Sequence, residues 1–304
     1  VVMSKVVIVG CGNVGMRYAF SLVTTKNKVD ELVLIDVLKD KAVGEAMDLT
    51  HATTYNSNRI KVRAGEYEEC NDADIVCICA GRNQEVGETR RDLINKNCKV
   101  YKSIIDEINK TQFNGIYLIA TNPLDVMTYI TKKLSNFPAE KVIGSGTVLD
   151  TARLRCLIGD KLSISPKNIH AYVIGEHGDS EFVPWSNAII GLNKATDYLN
   201  DDDCSKLLYD VRNSAYDIIN KKGNTSYGIG MCLTKITNAI LEDSNEIMTI
   251  SAYNDEHDIY FGMQAIVGKS GIKKVLPLDL SKEEQDRLSK SIDCITDTIN
   301  QIKV

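Results

Sequence analysis

The chain has 304 residues, of which 43% are hydrophobic and 25% are charged. These proportions are ordinary for a globular protein and exclude both disorder and a fibrous repeat, and the length exceeds what one hydrophobic core usually organises, so two lobes are expected. The formal net charge of −5 argues against a nucleic-acid binder that works by neutralising phosphates.

The first half of the chain alternates short apolar runs with helical stretches, which is typical of a parallel sheet joined by crossover helices. The runs are rich in β-branched residues and nearly continuous, as expected of strands that helices cover on both faces. We therefore predict an α/β fold that begins with a doubly wound parallel sheet, a Rossmann domain over residues 1–146. Its strands are predicted at 5–10, 31–36, 74–80, 115–121 and 141–144.

The turn after the first predicted strand has the sequence Gly10-Cys-Gly12-Asn-Val-Gly15 and opens a helix. Glycines in this strand-to-helix context are typical of dinucleotide sites. The first glycine permits the tight turn, the second lets the backbone approach a pyrophosphate, and the third lets the helix pack on the strand. A flavin or nucleotide-sugar enzyme also carries such a turn, so the turn alone leaves the cofactor open.

Asp36 ends the second predicted strand, 21 residues after Gly15. A carboxylate at this point accepts hydrogen bonds from the adenine ribose and repels a 2′-phosphate. The alternative is a turn residue without a ligand. The combination with the glycine turn favours NAD over NADP.

After Thr147 the pattern changes to longer helices and less regular strands. We predict a helix, a strand over 168–175, long helical segments, a β-like stretch over 247–267 and a terminal amphipathic helix. The terminal helix follows a capping-box sequence, Ser281-Lys-Glu-Glu284, and has apolar residues at three- and four-residue intervals. Residues 147–304 are therefore expected to form a mixed α+β substrate domain.

His177 lies in a glycine-bracketed turn, Gly175-Glu-His-Gly178. A lone histidine is more often a solvated or structural residue. Here Asp150 and Arg153 offer it partners, because they are three residues apart and share a helical face. A carboxylate fixes the tautomer of an imidazole and raises its pKa, and a guanidinium holds a carboxylate through two parallel hydrogen bonds. The three residues supply an acid, an orienting group and an anchor for a carboxylate substrate.

At this point the sequence resembles the L-lactate and L-malate dehydrogenase family over essentially its whole length. The matching segments are the glycine turn, Ala80-Gly81, Gly87-Glu-Thr-Arg90, Thr121-Asn-Pro123, Asp150-Thr-Ala-Arg153 and Gly175-Glu-His-Gly178. The resemblance implies that His177 donates a proton to the ketone oxygen, that Asp150 orients it and that Arg153 binds the substrate carboxylate. It also implies NAD, bound at Gly10, Gly12, Val14, Gly15, Asp36, Ala80, Gly81 and Asn122.

The polar segment between Gly81 and Gly87 is expected to act as a lid. A closing lid expels water and brings a cation to the developing alkoxide, and the resemblance assigns that role to Arg90. Arg91 follows it where relatives usually carry an apolar residue. The position after Gly-Glu-Thr favours Arg90 as the arginine that points inward.

The resemblance assigns the choice of substrate to Gln84, because members that reduce oxaloacetate carry an arginine there and the lactate enzymes a glutamine. Glu85 beside it would repel a dicarboxylate. Thr225 matches the residue that crowds the substrate methyl in the lactate enzymes. Pyruvate and L-lactate are therefore the expected substrates, with L-malate, another L-2-hydroxy acid or a non-catalytic NAD-binding sensor as alternatives.

Asn122 ends a predicted strand beside the cofactor. Its amide is expected to bond the substrate oxygen or the catalytic histidine, and its bond to Pro123 is expected to be cis. The predicted substrate-binding residues are Gln84, Arg90, Asn122, Arg153 and Thr225.

Arg155 and His170 are predicted to form a second, allosteric anion site. Two steps along a helix turn a side chain by about 200°, so Arg155 and Arg153 cannot serve one pocket. Both residues match the bacterial members activated by fructose 1,6-bisphosphate, which implies an effector site on a two-fold interface of a homotetramer, a dimer of dimers. The alternative is a surface arginine and a solvated histidine.

Nine cysteines raise the question of disulfides and metals. Cys77 and Cys79 alternate with apolar residues as strand core does, and the chain shows no basic-then-apolar leader, so reduced thiols in a cytoplasmic protein are expected. The resemblance implies a fermentative enzyme of glycolysis. No cysteine pair has the spacing of a zinc site, and no apolar run approaches the roughly 20 residues that span a bilayer. We predict no metal, no membrane association and no nucleic-acid partner.

Overall fold

The computed structural model describes residues 3–56, 60–82 and 90–302, apart from the Arg90 side chain. The strands of the first half are β1 (Lys5–Val9), β2 (Glu31–Ile35), β3 (Lys61–Ala64), β4 (Ile75–Ile78), β5 (Ile116–Ile119) and β6 (Val142–Gly144). Those of the second half are β7 (Ile169–His170), β8 (Ile189–Ile190), β9 (Asn193–Lys194), β10 (Glu246–Asn254), β11 (Ile259–Gly268) and β12 (Gly271–Val275).

The α-helices are α1 (Asn13–Thr24), α2 (Lys39–Thr53), α3 (Arg90–Ile108), α4 (Leu124–Ser135), α5 (Val148–Leu162), α6 (Asp201–Lys222), α7 (Tyr227–Leu241) and α8 (Lys282–Asn300). Short 3₁₀ helices occupy Tyr67–Asp72, Ala139–Lys141, Pro166–Asn168, Trp185–Asn187 and Ala195–Asp197. Within the described ranges, no helix is both long and apolar enough to cross a membrane.

The first six strands form a parallel sheet in the order β3-β2-β1-β4-β5-β6, joined by crossover helices. The doubly wound sheet and its five predicted strands are confirmed. The sequence analysis missed β3, because this edge strand alternates exposed Lys61 with buried Val62 and lacks a continuous apolar run. The carboxyl ends of β1, β2, β4 and β5 meet at one edge, where a doubly wound sheet binds its ligand.

The second half of the chain continues the same sheet. Strand β10 pairs antiparallel with β6 through Ser251 and Gly144, and β11 and β12 follow, so that the sheet has nine strands. A separate sheet consists of β7, β8 and β9. The two halves therefore share a continuous hydrogen-bonded scaffold, and the mixed α+β character predicted for the second is confirmed.

The core lies on both faces of the large sheet, because alternate strand residues point to opposite sides. Val6 and Ile8 face the side packed by α1 and α7, whereas Val7 and Val9 face the side packed by α3 and α4. All four are almost fully buried. This double covering explains the continuous apolar runs in the sequence.

The strand predicted over 168–175 is wrong beyond His170. From Ala171 onward the backbone bonds largely to side chains of α5 and of its N-cap residue, Thr147. Thr147 Oγ1 donates to the Val173 carbonyl at 2.6 Å, and the Val173 N–H donates to Thr151 Oγ1 at 3.0 Å. Isolated bridges then join Ile174 to Phe182 and Gly175 to Gly262. Threonine hydroxyls thus replace a partner strand and hold the segment before His177 against α5.

The terminal amphipathic helix is confirmed as α8, and so is its capping box. The Glu284 N–H donates to Ser281 Oγ at 3.3 Å, and the Ser281 N–H donates to Glu284 Oε2 at 2.8 Å. Glu284 also accepts hydrogen bonds from the Ser186 N–H and hydroxyl. The cap therefore also ties α8 to the loop after the His177 turn.

Candidate active site

The glycine turn is shaped by close backbone packing. Gly10 has φ +106°, and a Cβ placed on it would lie 2.5 Å from the Ala80 nitrogen. A Cβ on Gly15 would lie 2.1 Å from the Gly10 carbonyl oxygen, so only glycine lets α1 approach the turn. Gly12 is different, because no described atom outside its chain neighbours lies within 4 Å of its Cβ position. The open side of the turn is therefore next to the N-terminus of α1, where backbone N–H groups attract an anion.

Asp36 is held beside this turn by two backbone hydrogen bonds. Its Oδ2 accepts from the Cys11 N–H at 2.7 Å and its Oδ1 from the Leu38 N–H at 2.9 Å. Each oxygen retains a further lone pair to accept from a ribose hydroxyl. The carboxylate is thus oriented at the end of β2, where a dinucleotide presents its ribose.

The ends of β4 and β5 form the other wall. A Cβ on Gly81 would lie 2.5 Å from Thr121 Cγ2, and the Asn122–Pro123 bond is cis. Asn97 of α3 is almost fully buried and links the two ends: its Oδ1 accepts from the Arg82 N–H at 2.8 Å, and its Nδ2 donates to the Asn122 carbonyl at 3.2 Å. The sequence analysis missed Asn97, since no local pattern marks it.

The structure brings together His177, Asp150 and Arg153, the predicted acid, orienting group and carboxylate anchor. His177 Nδ1 lies 2.6 Å from Asp150 Oδ2, and Arg153 Nη1 donates to Asp150 Oδ1 at 2.8 Å. Asp150 is 2% exposed. Both of its oxygens are therefore engaged, one by the imidazole and one by the guanidinium.

The charges of this cluster shift the pKa of both partners. Burial by itself would lower the pKa of His177, but the Asp150 carboxylate outweighs it and raises the pKa to about 9. Burial likewise opposes ionisation of Asp150, and His177 and Arg153 together hold its pKa below the usual range. Imidazolium beside carboxylate is thus the state favoured at neutral pH.

A second buried carboxylate, Asp125, supports the backbone of the turn that carries His177. Its Oδ2 accepts from the His177 N–H at 2.8 Å, and its Oδ1 accepts from Ser251 Oγ at 2.5 Å. Burial raises the pKa of Asp125 to about 6. The residue joins the start of α4, strand β10 and the turn that carries His177. No local pattern predicts this contact, because 52 residues separate Asp125 from His177.

Glu181 is a third buried acid in this region. Ligand atoms of Asp150, His177 and Glu181 all lie within 4.8 Å of one another, the one such group of three or more potential metal ligands in the described part of the chain. Burial, reinforced by the Asp150 charge, holds the pKa of Glu181 well above its usual range. Arg153 already neutralises Asp150, so the cluster has a cation of its own and fits acid catalysis.

The remaining predicted residues lie in several places. Gln84 is outside the described residues, and Arg90 begins α3. Arg91 lines a small cavity with Thr298 and Gln301 at the end of α8. Thr225 is half-buried in the link between α6 and α7.

Arg155 and His170, the predicted effector residues, lie on neighbouring elements. Arg155 Nε donates to the Ala171 carbonyl at 3.0 Å, and its guanidinium lies 4.5 Å from the centre of the Tyr172 ring. His170 is exposed on β7. Arg155 also lines a cavity of about 450 Å³, with Lys167 as a second cation.

Comparison with known proteins matches both halves of the chain to one family. A family model described as lactate/malate dehydrogenase, NAD binding domain, matches residues 4–144, and one described as lactate/malate dehydrogenase, alpha/beta C-terminal domain, matches residues 147–304. L-lactate dehydrogenase 2 of Peribacillus psychrosaccharolyticus is 46% identical over 309 residues, covering 98% of this chain and 96% of the relative. L-lactate dehydrogenase of Geobacillus sp. (strain WCH70) is 45% identical, covering 98% of this chain and 97% of the relative.

Solved structures give the same result. The minor L-lactate dehydrogenase from Enterococcus mundtii in its ligands-bound form has a TM-score of 0.96 at 37% identity and covers 100% of both chains. Its ligands-unbound form has a TM-score of 0.90, also at 37% identity, and covers 99% of this chain and 98% of that one. The conformation described here is therefore more similar to the ligands-bound form.

Proposed function

The chain belongs to the lactate/malate dehydrogenase family, and we propose that it interconverts pyruvate and L-lactate with His177 as the proton donor. The observation that carries the proposal is the cluster of His177, Asp150 and Arg153, in which one buried carboxylate contacts both the imidazole and the guanidinium. NAD is the cofactor of this family's first domain, and when reduced it supplies the hydride to C2 of the ketone. Curated relatives about 45% identical are L-lactate dehydrogenases.

The protein's own residues manage the proton and the substrate charge. Asp150 occupies His177 Nδ1, which leaves Nε2 to donate its proton to the C2 oxygen. Arg153 uses one N–H on Asp150, and its remaining N–H groups are available for the substrate carboxylate. Arg90, which begins α3, is proposed to contact the carbonyl oxygen when the lid before it closes, because a cation there stabilises the developing alkoxide.

The cofactor is proposed to lie along the turn and the ends of β1, β2, β4 and β5. The open side of Gly12 accepts the pyrophosphate, and Asp36 accepts the ribose hydroxyls. Val14, Ala80 and Asn122 complete the contacts, together with Gly10, Gly15 and Gly81. The oriented carboxylate of Asp36 supports NAD over NADP.

The choice between pyruvate and oxaloacetate is assigned to Gln84 and Thr225. Steady NADH oxidation with pyruvate, and much slower oxidation with oxaloacetate and longer 2-keto acids, is the expected result. The substitution Gln84→Arg is expected to raise the oxaloacetate-to-pyruvate ratio of kcat/KM, with Glu85 limiting the gain. Fast turnover of oxaloacetate by the unaltered chain would replace the assignment with malate dehydrogenase, and no turnover of any keto acid would favour an NAD-binding sensor.

We also propose that Arg155 and His170 bind fructose 1,6-bisphosphate. Arg155 points away from Arg153 and is held by Ala171 and Tyr172 beside the exposed His170. A phosphate group suits such paired cationic residues. Pyruvate saturation curves are expected to shift to lower pyruvate concentrations when the bisphosphate is added. The double variant Arg155→Gln, His170→Ala should abolish this shift. Superimposed curves for the unaltered chain, with and without the bisphosphate, would contradict the proposed site.

A homotetramer is proposed from the exposed apolar surface of α1, α2 and α7. Large apolar side chains there are 47–63% exposed, and exposed apolar patches of this kind mark interaction sites: Phe20, Val43, Met47, Tyr227 and Met231. Sedimentation analysis should show a tetramer that Met47→Glu dissociates. None of the nine cysteines forms a disulfide in the structure, which supports a cytoplasmic location.

A further inference from the structure

Two thiols beside the dinucleotide turn take no part in the proposed chemistry. Cys77 lies on β4 and Cys79 directly after it, with their sulfur atoms hydrogen-bonded at 3.6 Å. Residues two apart on a strand project from the same face. Cys77 belongs to the buried core cluster on the α1 side of the sheet, and the partly buried Cys79 and Val14 of α1 pack against that cluster. We propose that Cys77 and Cys79 form a chelating dithiol site for trivalent arsenicals, and that an arsenical bound there opposes NADH binding.

The distance between the sulfurs suits one bridging atom. Two bonds of about 2.3 Å, the length of a zinc–thiolate bond, span 3.6 Å at an angle of about 100°. Three-coordinate arsenic is pyramidal with angles of this size, so the ring can close without moving the strand. Zinc requires four ligands, and among the described residues no group of three metal ligands includes this pair.

A direct disulfide fits less well. The Cα atoms of residues two apart on a strand are separated by about 6.7 Å, at the upper end of the range of about 4.4–6.8 Å found for disulfides. The sulfurs would also have to close from 3.6 Å to about 2.05 Å. The β4 backbone is hydrogen-bonded to strands on both sides, which resists that closure.

The proposed reaction is a condensation and needs no oxidant. An arsonous acid, R–As(OH)₂, exchanges two As–O bonds for two As–S bonds, and each departing hydroxide takes one thiol proton and leaves as water. Burial raises the pKa of the Cys77 thiol well above its usual value, so this thiol carries the proton that the exchange consumes. Arsenic remains trivalent throughout.

Access begins at Cys79, which is half-buried, whereas Cys77 is fully buried. The first As–S bond therefore forms at Cys79, and the second closes inward. The main chain at Cys79 and Ala80 is also the surface on which the glycine turn packs, because a Cβ on Gly10 would lie 2.9 Å from the Cys79 carbonyl carbon. A group added here displaces the turn or blocks the cofactor, and this part of the inference rests on the proposed NAD site.

The test uses phenylarsine oxide, which hydrates to the arsonous acid, with intact-protein mass spectrometry as the readout. Wild type is expected to gain a phenylarsenic group with loss of two thiol protons, stable to excess 2-mercaptoethanol and released by 2,3-dimercaptopropanol. Cys77→Val and Cys79→Val should each lose the stable adduct. Cys156→Val, which removes an exposed thiol, is the matched control and should retain it.

Saturating NADH is expected to slow adduct formation in wild type, and the adduct should bind NADH more weakly by fluorescence titration. An equally stable adduct in the Cys77→Val, Cys79→Val double variant would overturn the site. Adduct formation at the same rate with and without NADH would overturn the coupling to the cofactor. Since mass and NADH binding are measured without turnover, failure of pyruvate reduction would count against the proposed activity alone.

Discussion

Two regions of the molecule are stabilised by different forces: the cluster of His177, Asp150 and Arg153, and the glycine turn. In the cluster, Asp150 and Arg153 shift the pKa of buried groups through charge. In the turn, Gly10 and Gly15 determine the shape through close backbone packing. A substitution in the cluster should therefore change proton transfer with the backbone intact, whereas a substitution in the turn should change the backbone and with it cofactor affinity.

The largest expected effect is that of His177→Asn. Loss of a general acid lowers turnover by roughly 10²–10⁴-fold. NADH affinity should be unchanged, because His177 contacts Asp150 and Asp125 and not the dinucleotide turn at Gly10–Gly15. Stopped-flow reduction of pyruvate and fluorescence titration of NADH measure the two quantities. Equal losses of turnover and of NADH affinity would contradict the separation of proton transfer from cofactor binding.

Arg153→Lys should mainly raise the KM for pyruvate. A compact ammonium cannot reproduce the two-pronged carboxylate contact, and a lost charge-assisted hydrogen bond costs about 1.5–3 kcal/mol, or roughly a ten- to hundred-fold rise in KM. Arg91→Lys is the matched control, since Arg91 lines a cavity against α8. An unaltered KM in Arg153→Lys would show that Arg153 does not hold the substrate.

Gly15→Ala should weaken NADH binding and lower Tm, because its Cβ would lie 2.1 Å from the Gly10 carbonyl oxygen. Overpacking of this kind costs about 1–3 kcal/mol. Gly44→Ala in α2 is the control: its Cβ meets no described atom within 4 Å, and the change should raise stability by about 0.4–1 kcal/mol. Unchanged NADH affinity in Gly15→Ala would contradict the steric account of the turn.

Asp125→Asn should give the smallest effect, a shift in pH dependence. The amide can still accept from the His177 N–H and donate to Ser251, but the charge that helps to raise the pKa of His177 is lost. The basic limb of pyruvate reduction should therefore move to lower pH. Below about pH 6 the difference from wild type should vanish, since Asp125 itself becomes protonated there.

Ser251→Ala is the matched control for Asp125, because it removes one hydrogen bond and keeps the charge. The basic limb of its pH profile for pyruvate reduction should lie at the same pH as in wild type. If Asp125→Asn and Ser251→Ala give the same pH profile, Asp125 acts through packing alone.

The sequence predicted what local patterns encode. The five parallel strands and the α8 cap follow from apolar runs and capping chemistry within short windows. The pairing of Asp150 and Arg153 follows from a helical interval of three. Each of these signals lies within a few neighbouring residues.

What the sequence analysis missed depends on contacts between distant segments. The hydrogen bonds of Asp125 to His177 and of Asn97 to Asn122 join elements that only the folded sheet brings together. The strand expected after His170 fails for the same reason, because threonines at the N-cap and in the first turn of α5 take up its backbone hydrogen bonds. An alternating apolar pattern cannot show whether the backbone of a segment bonds to a neighbouring strand or to threonine side chains.

The pH dependence of kcat/KM for pyruvate reduction, measured for wild type and Asp150→Asn, tests the central claim most directly. Reduction requires protonated His177, whose pKa is raised to about 9, so wild-type activity should stay level through neutral pH and fall only as the pH approaches 9. Asp150→Asn removes the charge that outweighs burial, so its basic limb should begin at clearly lower pH. A basic limb at the same pH in both proteins would show that Asp150 does not determine the pKa of the proton donor.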